Sequence, residues 1–179
     1  MMKKCSTGLL TRNRARQVLL RGRITKQIAA GCVARLLVLA SEAPRQPIVM
    51  QVDSPGGLIT ESLMIVSTMK GIKCPITTIC QSSVGGSAVM IAAQGSPGLR
   101  VAMPSARFSF HDLLNEPSLT PVNQKLFAER LAQSTKRSVE EVLEWMAEGA
   151  VFSPDEAIAN RLIDTIAVVP PTPRFADGE

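Results

Sequence analysis

The stretch Thr78-Ile79-Cys80-Gln81-Ser82-Ser83-Val84-Gly85-Gly86-Ser87-Ala88-Val89-Met90 decides how the rest of the chain is read. It opens as an apolar strand, passes a glycine pair and continues as a small-residue helix ending near Gln94. A sharp strand-to-helix turn lifts one side chain above a sheet and aims free backbone N–H groups at whatever lies over the helix start. The same pattern also suits a strand and helix in tight contact, with glycine serving packing alone. The question is whether a nucleophile stands on the turn.

Working outward, apolar strands alternate with helices. Gln17–Leu20 and the continuous apolar run Ile48–Val52 predict strands, the second as expected for a parallel sheet covered on both faces. Between them Thr25 is the N-cap of a helix to about Ser41, with Ile28, Cys32, Leu36 and Leu39 on one face. Leu58–Met69 is helical and Ile76–Cys80 is a strand. Val101–Met103 and Arg107–His111 are short strands around Pro104. Residues 112–119 form a loop, and Thr120-Pro121 starts a helix of some fifteen residues. Ser138…Glu141 and Ser153…Glu156 are capping boxes opening two more helices, the second ending at Asn160. Leu162–Val168 is a last strand. The order predicts an α/β fold with a mainly parallel sheet. Residues 1–16 are read as a basic, flexible arm, 17–169 as one domain and 170–179 as a disordered tail.

Composition narrows the function. Ten of the 20 Lys and Arg lie before residue 46, where Glu42 is the only acid, so a basic arm precedes a mildly acidic body. Aromatics make up 3%, too few for a groove that stacks bases, so a nucleic-acid role rests on the arm alone. The cysteines at 5, 32, 74 and 80 have no CxxC spacing and read as reduced, buried hydrophobes. One histidine and four scattered cysteines make neither a metal site nor a cofactor site. No signal peptide or membrane span is recognised, and a cytoplasmic protein is expected.

Two glycine turns sit at corresponding places, Ser54-Pro55-Gly56-Gly57 and Val84-Gly85-Gly86-Ser87, each after an apolar strand and before a helix. Sites of open parallel sheets gather at such strand ends. Two turns there can each give a backbone N–H to one oxyanion, as a tetrahedral acyl-transfer intermediate or a thioester enolate requires. Neither turn matches a phosphate-binding pattern. The only histidine, His111, ends a strand further on and is the candidate base.

These residues resemble the proteolytic subunit of the ATP-dependent Clp protease. The likeness runs from about Arg16 to Ile166. It is densest in Pro47–Gly57, Thr77–Cys80, Gly98–Arg100 with Pro104 and His111, and Phe152–Ala157 with Leu162–Asp164. It implies a crotonase-like ββα spiral and assembly into rings of the heptamer type, alongside active paralogues and an AAA+ ATPase. It implies an oxyanion and peptide-binding hole formed by Gly56, Gly57 and the Ser87 N–H, with His111 as general base. Laid on the chain without a gap, the family pattern puts the nucleophile position on Gly86 and the triad aspartate on Gly149. Neither has a side chain. Ser87, one residue on, turns about 100° away on a helix; Glu148, just before Gly149, has the same problem, and Asp112, adjoining His111 in sequence, is not expected to reach its ring. The segment between His111 and Ser138 is shorter than the family's handle region, which joins two rings.

The expectation is a catalytically impaired Clp-type homologue, a pseudoenzyme acting as a structural or regulatory ring subunit. The alternative is a serine endopeptidase cleaving polypeptide with a displaced Ser87 and His111. A third reading is a crotonase-like acyl-CoA enzyme, for which Glu148 is the only carboxylate on offer.

Overall fold

The computed structural model describes residues 14–113 and 119–168. The predicted arm, apart from residues 14–16, lies outside that range, as do most of the loop after His111 and the tail from Pro170. The elements are β1 (Gln17–Arg21), α1 (Lys26–Glu42), β2 (Ile48–Ser54), α2 (Ile59–Gly71), β3 (Ile76–Gly85), α3 (Ser87–Ala92), β4 (Arg100–Ala102), β5 (Arg107–Ser109), α4 (Pro121–Thr135), α5 (Val139–Glu148), β6 (Val151–Phe152), α6 (Pro154–Ala159) and β7 (Thr165–Ile166). The fold is α/β with a mostly parallel sheet.

The main sheet runs β1-β2-β3-β4-β7, all parallel, and β5 and β6 branch from β3. β3 carries both halves. Its Thr78–Cys80 segment pairs with β4 and its Ser83–Gly85 segment with β5. Between them the β2–β3 register shifts, so Val52 faces Cys80 but Ser54 faces Val84. A shift of this kind bends a strand, and it steers β3 from one pairing into the next. The strand therefore continues five residues past the predicted end at Cys80.

The helix starts are set locally. Thr25 Oγ1 accepts from Ile28 N, Thr120 Oγ1 from Asn123 N, and both serine capping boxes are complete. One face of α1 buries Ala29, Cys32, Leu36 and Leu39, and α2 buries Ile59, Ser62, Ile65, Val66 and Met69. The main core lies between these helices and the sheet. A smaller cluster of Val49, Ile79, Val101 and Ala167 occupies the opposite sheet face.

Three predictions need correction. Arg16 belongs to the fold, not to a solvated arm: it is 6% exposed, and its guanidinium donates to the carbonyls of Leu39, Ala43, Gln46 and Pro47 at the exit of α1. A cation suits carbonyls gathered at the negative end of a helix. The last strand is Thr165–Ile166, far shorter than Leu162–Val168, because Asp164 is taken up by Arg100. His111 begins a 3₁₀ turn, His111–Leu113, two residues after β5 ends.

Arg100 ties the far end of the molecule together. Nε and Nη2 reach the two Asp164 oxygens at 2.9 and 2.5 Å, and Nη1 donates to the carbonyls of Arg161 (2.7 Å) and Ser134 (3.3 Å). One side chain thus closes the ends of α4 and α6 against β4.

Candidate active site

Three chain segments leave the sheet side by side. Gly85 of β3 pairs with Ser109 of β5, which pairs with Val151 of β6. Beyond the strands, Gly86 N donates to Ser109 O and Phe110 N to Ala150 O, each at 2.8 Å. This brings Gly86, His111 and Gly149 to neighbouring strand ends. Phe110, Trp145 and Phe152 pack as tilted and edge-on rings beneath them, with centroids 5.3 to 5.8 Å apart.

Gly149 closes α5 in the left-handed conformation (φ 61°, ψ 41°), with its N–H on the last carbonyls of the helix. A Cβ built on it would stand 3.5 Å from His111 Cα and 3.7 Å from His111 Nδ1. A side chain at position 149 would therefore lie directly against the imidazole. His111 itself is exposed.

Gly86 holds φ 49° and ψ −128° between β3 and α3. Residues other than glycine adopt that region only under strain. The turn is an elbow with no side chain on it. Ser87 is not brought to His111. It is 1% exposed, its Oγ donates to Gly57 O at 3.0 Å, and Ser62 Oγ on α2 donates to it at 2.8 Å. The single hydroxyl hydrogen of Ser87 is committed to a buried carbonyl.

The first glycine turn is locked to the elbow. Ser54 Oγ accepts from Gly56 N at 3.1 Å and donates to Gly22 O at 2.7 Å. Gly56 O accepts from Ile24 N, and Leu58 N donates to Ile24 O. A Cβ on Gly56 would come within 2.7 Å of Gly85 O and 2.9 Å of Ser87 N, and one on Gly57 would run into the Ile24 backbone. Gly56 therefore supplies room for the elbow, and its N–H is already used. The N–H groups of Gly57 and Ser87 have no hydrogen-bond partner among the described residues.

A sequence model of the family described as Clp protease matches residues 4–170, nearly the whole chain. The chain belongs to the Clp protease family. The α/β fold with its mostly parallel sheet is consistent with the Clp/crotonase-like fold of that family.

Glu148 is exposed on the last turn of α5, and the Asp112 side chain lies outside the described residues. Burial pushes the Cys80 thiol up to about 12, so it stays protonated. Cys32 and Cys74 are free and buried. Among the described residues, no group of three or more His, Cys, Asp or Glu is placed to hold a metal, and no helix is long and apolar enough to cross a membrane. At the rim, the hydroxyl of Ser82 and then the Ser83 N–H hold the Asp53 carboxylate below its usual range.

Sequence reasoning missed Ser54, Ser62 and Ser109. Ser54 and Ser62 bond the glycine turn and the Ser87 hydroxyl, and Ser109 Oγ accepts from His111 N at 3.3 Å. Only Ser62 carried a sequence signal, as a polar residue on the buried face of an otherwise apolar helix.

Proposed function

We propose that this chain is a Clp-type ring subunit that does not cleave peptides through a Ser-His-Asp triad and serves a structural or regulatory role in the ring. Its partners are further copies, active paralogues and an AAA+ ATPase. One observation carries this reading: the only hydroxyl on the elbow, that of Ser87, is buried and donates to Gly57 O. Acyl transfer needs a nucleophile whose proton passes to a base within hydrogen-bond reach. Position 86 offers no atom to attack a carbonyl, and position 149 offers no carboxylate to fix the imidazole tautomer. The unused N–H groups of Gly57 and Ser87 and the exposed His111 are still suited to holding a peptide carbonyl. Binding without turnover fits a subunit that shapes or gates a chamber in which others cut. Losing the triad removes several orders of magnitude in rate.

The test is covalent labelling with a fluorophosphonate probe, read by peptide mass spectrometry, beside turnover of a fluorogenic peptide and an unfolded protein. No adduct on Ser87 and no turnover are expected. The double variant Gly86→Ser/Gly149→Asp is the positive counterpart: it should acquire an adduct at position 86. Turnover by the unaltered chain that vanishes on Ser87→Ala would falsify the proposal.

A further inference from the structure

β1 lies at the edge of the sheet, and β2 is its only strand partner among the described residues. Alternate residues of a parallel strand turn their backbone groups to opposite sides. Gly22 N donates to Asp53 O on the β2 side. Val18 and Leu20 therefore also face β2, and the carbonyls of Gln17 and Leu19 face outward. A free edge of this kind is a template for another strand.

These outward carbonyls are already occupied. Arg35 of α1 donates from Nη2 to Ala15 O and from Nε to Gln17 O, the latter at 3.4 Å. Cys32, on the same helix face, points its thiol at Leu19 O at 3.8 Å. One helix thus covers two outward carbonyls of β1 and that of Ala15 in the 3₁₀ turn just before it. A cleft of about 270 Å³ lined by Leu19, Ile28, Gly31 and Arg35 runs between strand and helix. The outward N–H groups of Leu19 and Arg21 have no partner among the described residues.

We infer that Arg35 is a latch that keeps the edge of β1 from adding a strand, and that the strand it excludes is the β1 edge of a second copy. Two such edges are self-complementary about a two-fold axis. Antiparallel pairing centred on Leu19 sets Gln17 opposite Arg21 and Leu19 opposite its own copy. Leu19 is 51% exposed in the lone chain, an apolar side chain that a cross-strand partner would cover. The latch uses bonds on the edge itself and does not depend on whether the site is catalytic.

The experiment uses the full chain with Arg35→Met, which keeps the stem and deletes the donors. Amide exchange of Leu19 and Arg21 is followed over a range of concentration, beside sedimentation velocity. In the unaltered chain these amides should exchange fast at every concentration. In Arg35→Met they should slow by about tenfold as concentration rises, with a matching heavier species. Arg35→Lys, with a single-point donor, should fall between and covers the case in which the first variant folds poorly. Identical exchange and size for both variants and the unaltered chain would overturn the latch. So would faster exchange of these amides when residues 1–13 are deleted, because the arm would then be the cover. Association of Arg35→Met that survives Leu19→Lys would rule out the β1 edge as partner.

Discussion

Replacing Ser87 by alanine separates a structural serine from a nucleophilic one. In the structure this hydroxyl is the middle of a chain running from Ser62 Oγ through Ser87 Oγ to Gly57 O. Alanine leaves Gly57 O buried without that donor, and Ser62 falls back on Leu58 O at 3.1 Å. An orphaned buried acceptor costs about 1–3 kcal/mol. The fallback bond and the better helix propensity of alanine return part of this, leaving a net loss of about 1–2 kcal/mol. For a chain of this size that lowers the midpoint of thermal unfolding by about 2–8 °C. Ser62→Ala should cost less, because Ser87 keeps its acceptor, and the double variant should show coupling of about 0.5–1.5 kcal/mol. The assay is calorimetry of the four proteins, with probe labelling repeated in the Gly86→Ser/Gly149→Asp background. There Ser87→Ala should leave the adduct at position 86 in place. An alanine variant that melts with the unaltered chain, and in which an adduct otherwise found at Ser87 disappears, refutes the argument from geometry.

Two other predictions concern the frame. Arg100→Met leaves Asp164 partly buried without its partner and removes the donor to the carbonyls of Ser134 and Arg161, so a loss of about 2–4 kcal/mol in urea unfolding is expected, largely recovered by adding Asp164→Leu. Burial pushes the Asp164 carboxyl up, but the hydrogen bonds and charge of Arg100 outweigh it and hold it below its usual value. A depressed folded-state value gives stability that is present above the unfolded value near about pH 4 and lost as pH falls below it; that acid-side loss should shrink in Arg100→Met. Gly57→Ala drives a methyl into the Ile24 backbone and should prevent folding or displace β1, visible as loss of amide protection across Gln17–Arg21, whereas Gly98→Ala meets open space and costs only the strain of its φ of 81°.

Local chemistry was the readable part of this chain. Thr25, Thr120, Ser138 and Ser153 each begin a helix as predicted, because a cap is formed within four residues. Helix geometry alone predicts that the Ser87 side chain turns about 100° from that of position 86. Tertiary pairing was not readable. The strand ending at Cys80 runs on to Gly85 because β5 arrives to pair with Ser83–Gly85. β6 is two residues long, and only its antiparallel bonds to β5 make it a strand. Arg16 looks like part of a basic tail until the carbonyls at the exit of α1 are folded beside it. The committed N–H of Gly56 depends on Ser54 Oγ, a bond with no sequence signature.

The two bare positions share one property. Gly86 and Gly149 both have positive φ, the first at ψ −128° and the second in the left-handed helical region. A serine at the first would hold about 1–3 kcal/mol of backbone strain, while an aspartate at the second is among the residues that tolerate the left-handed region best. The two halves of a triad are thus unequal neighbours on the mutational map. On the proposed reading of these positions, the acid lies one easy step away and the nucleophile lies across a barrier of backbone strain. If the proposal holds, Gly149→Asp alone should give no turnover of a fluorogenic peptide.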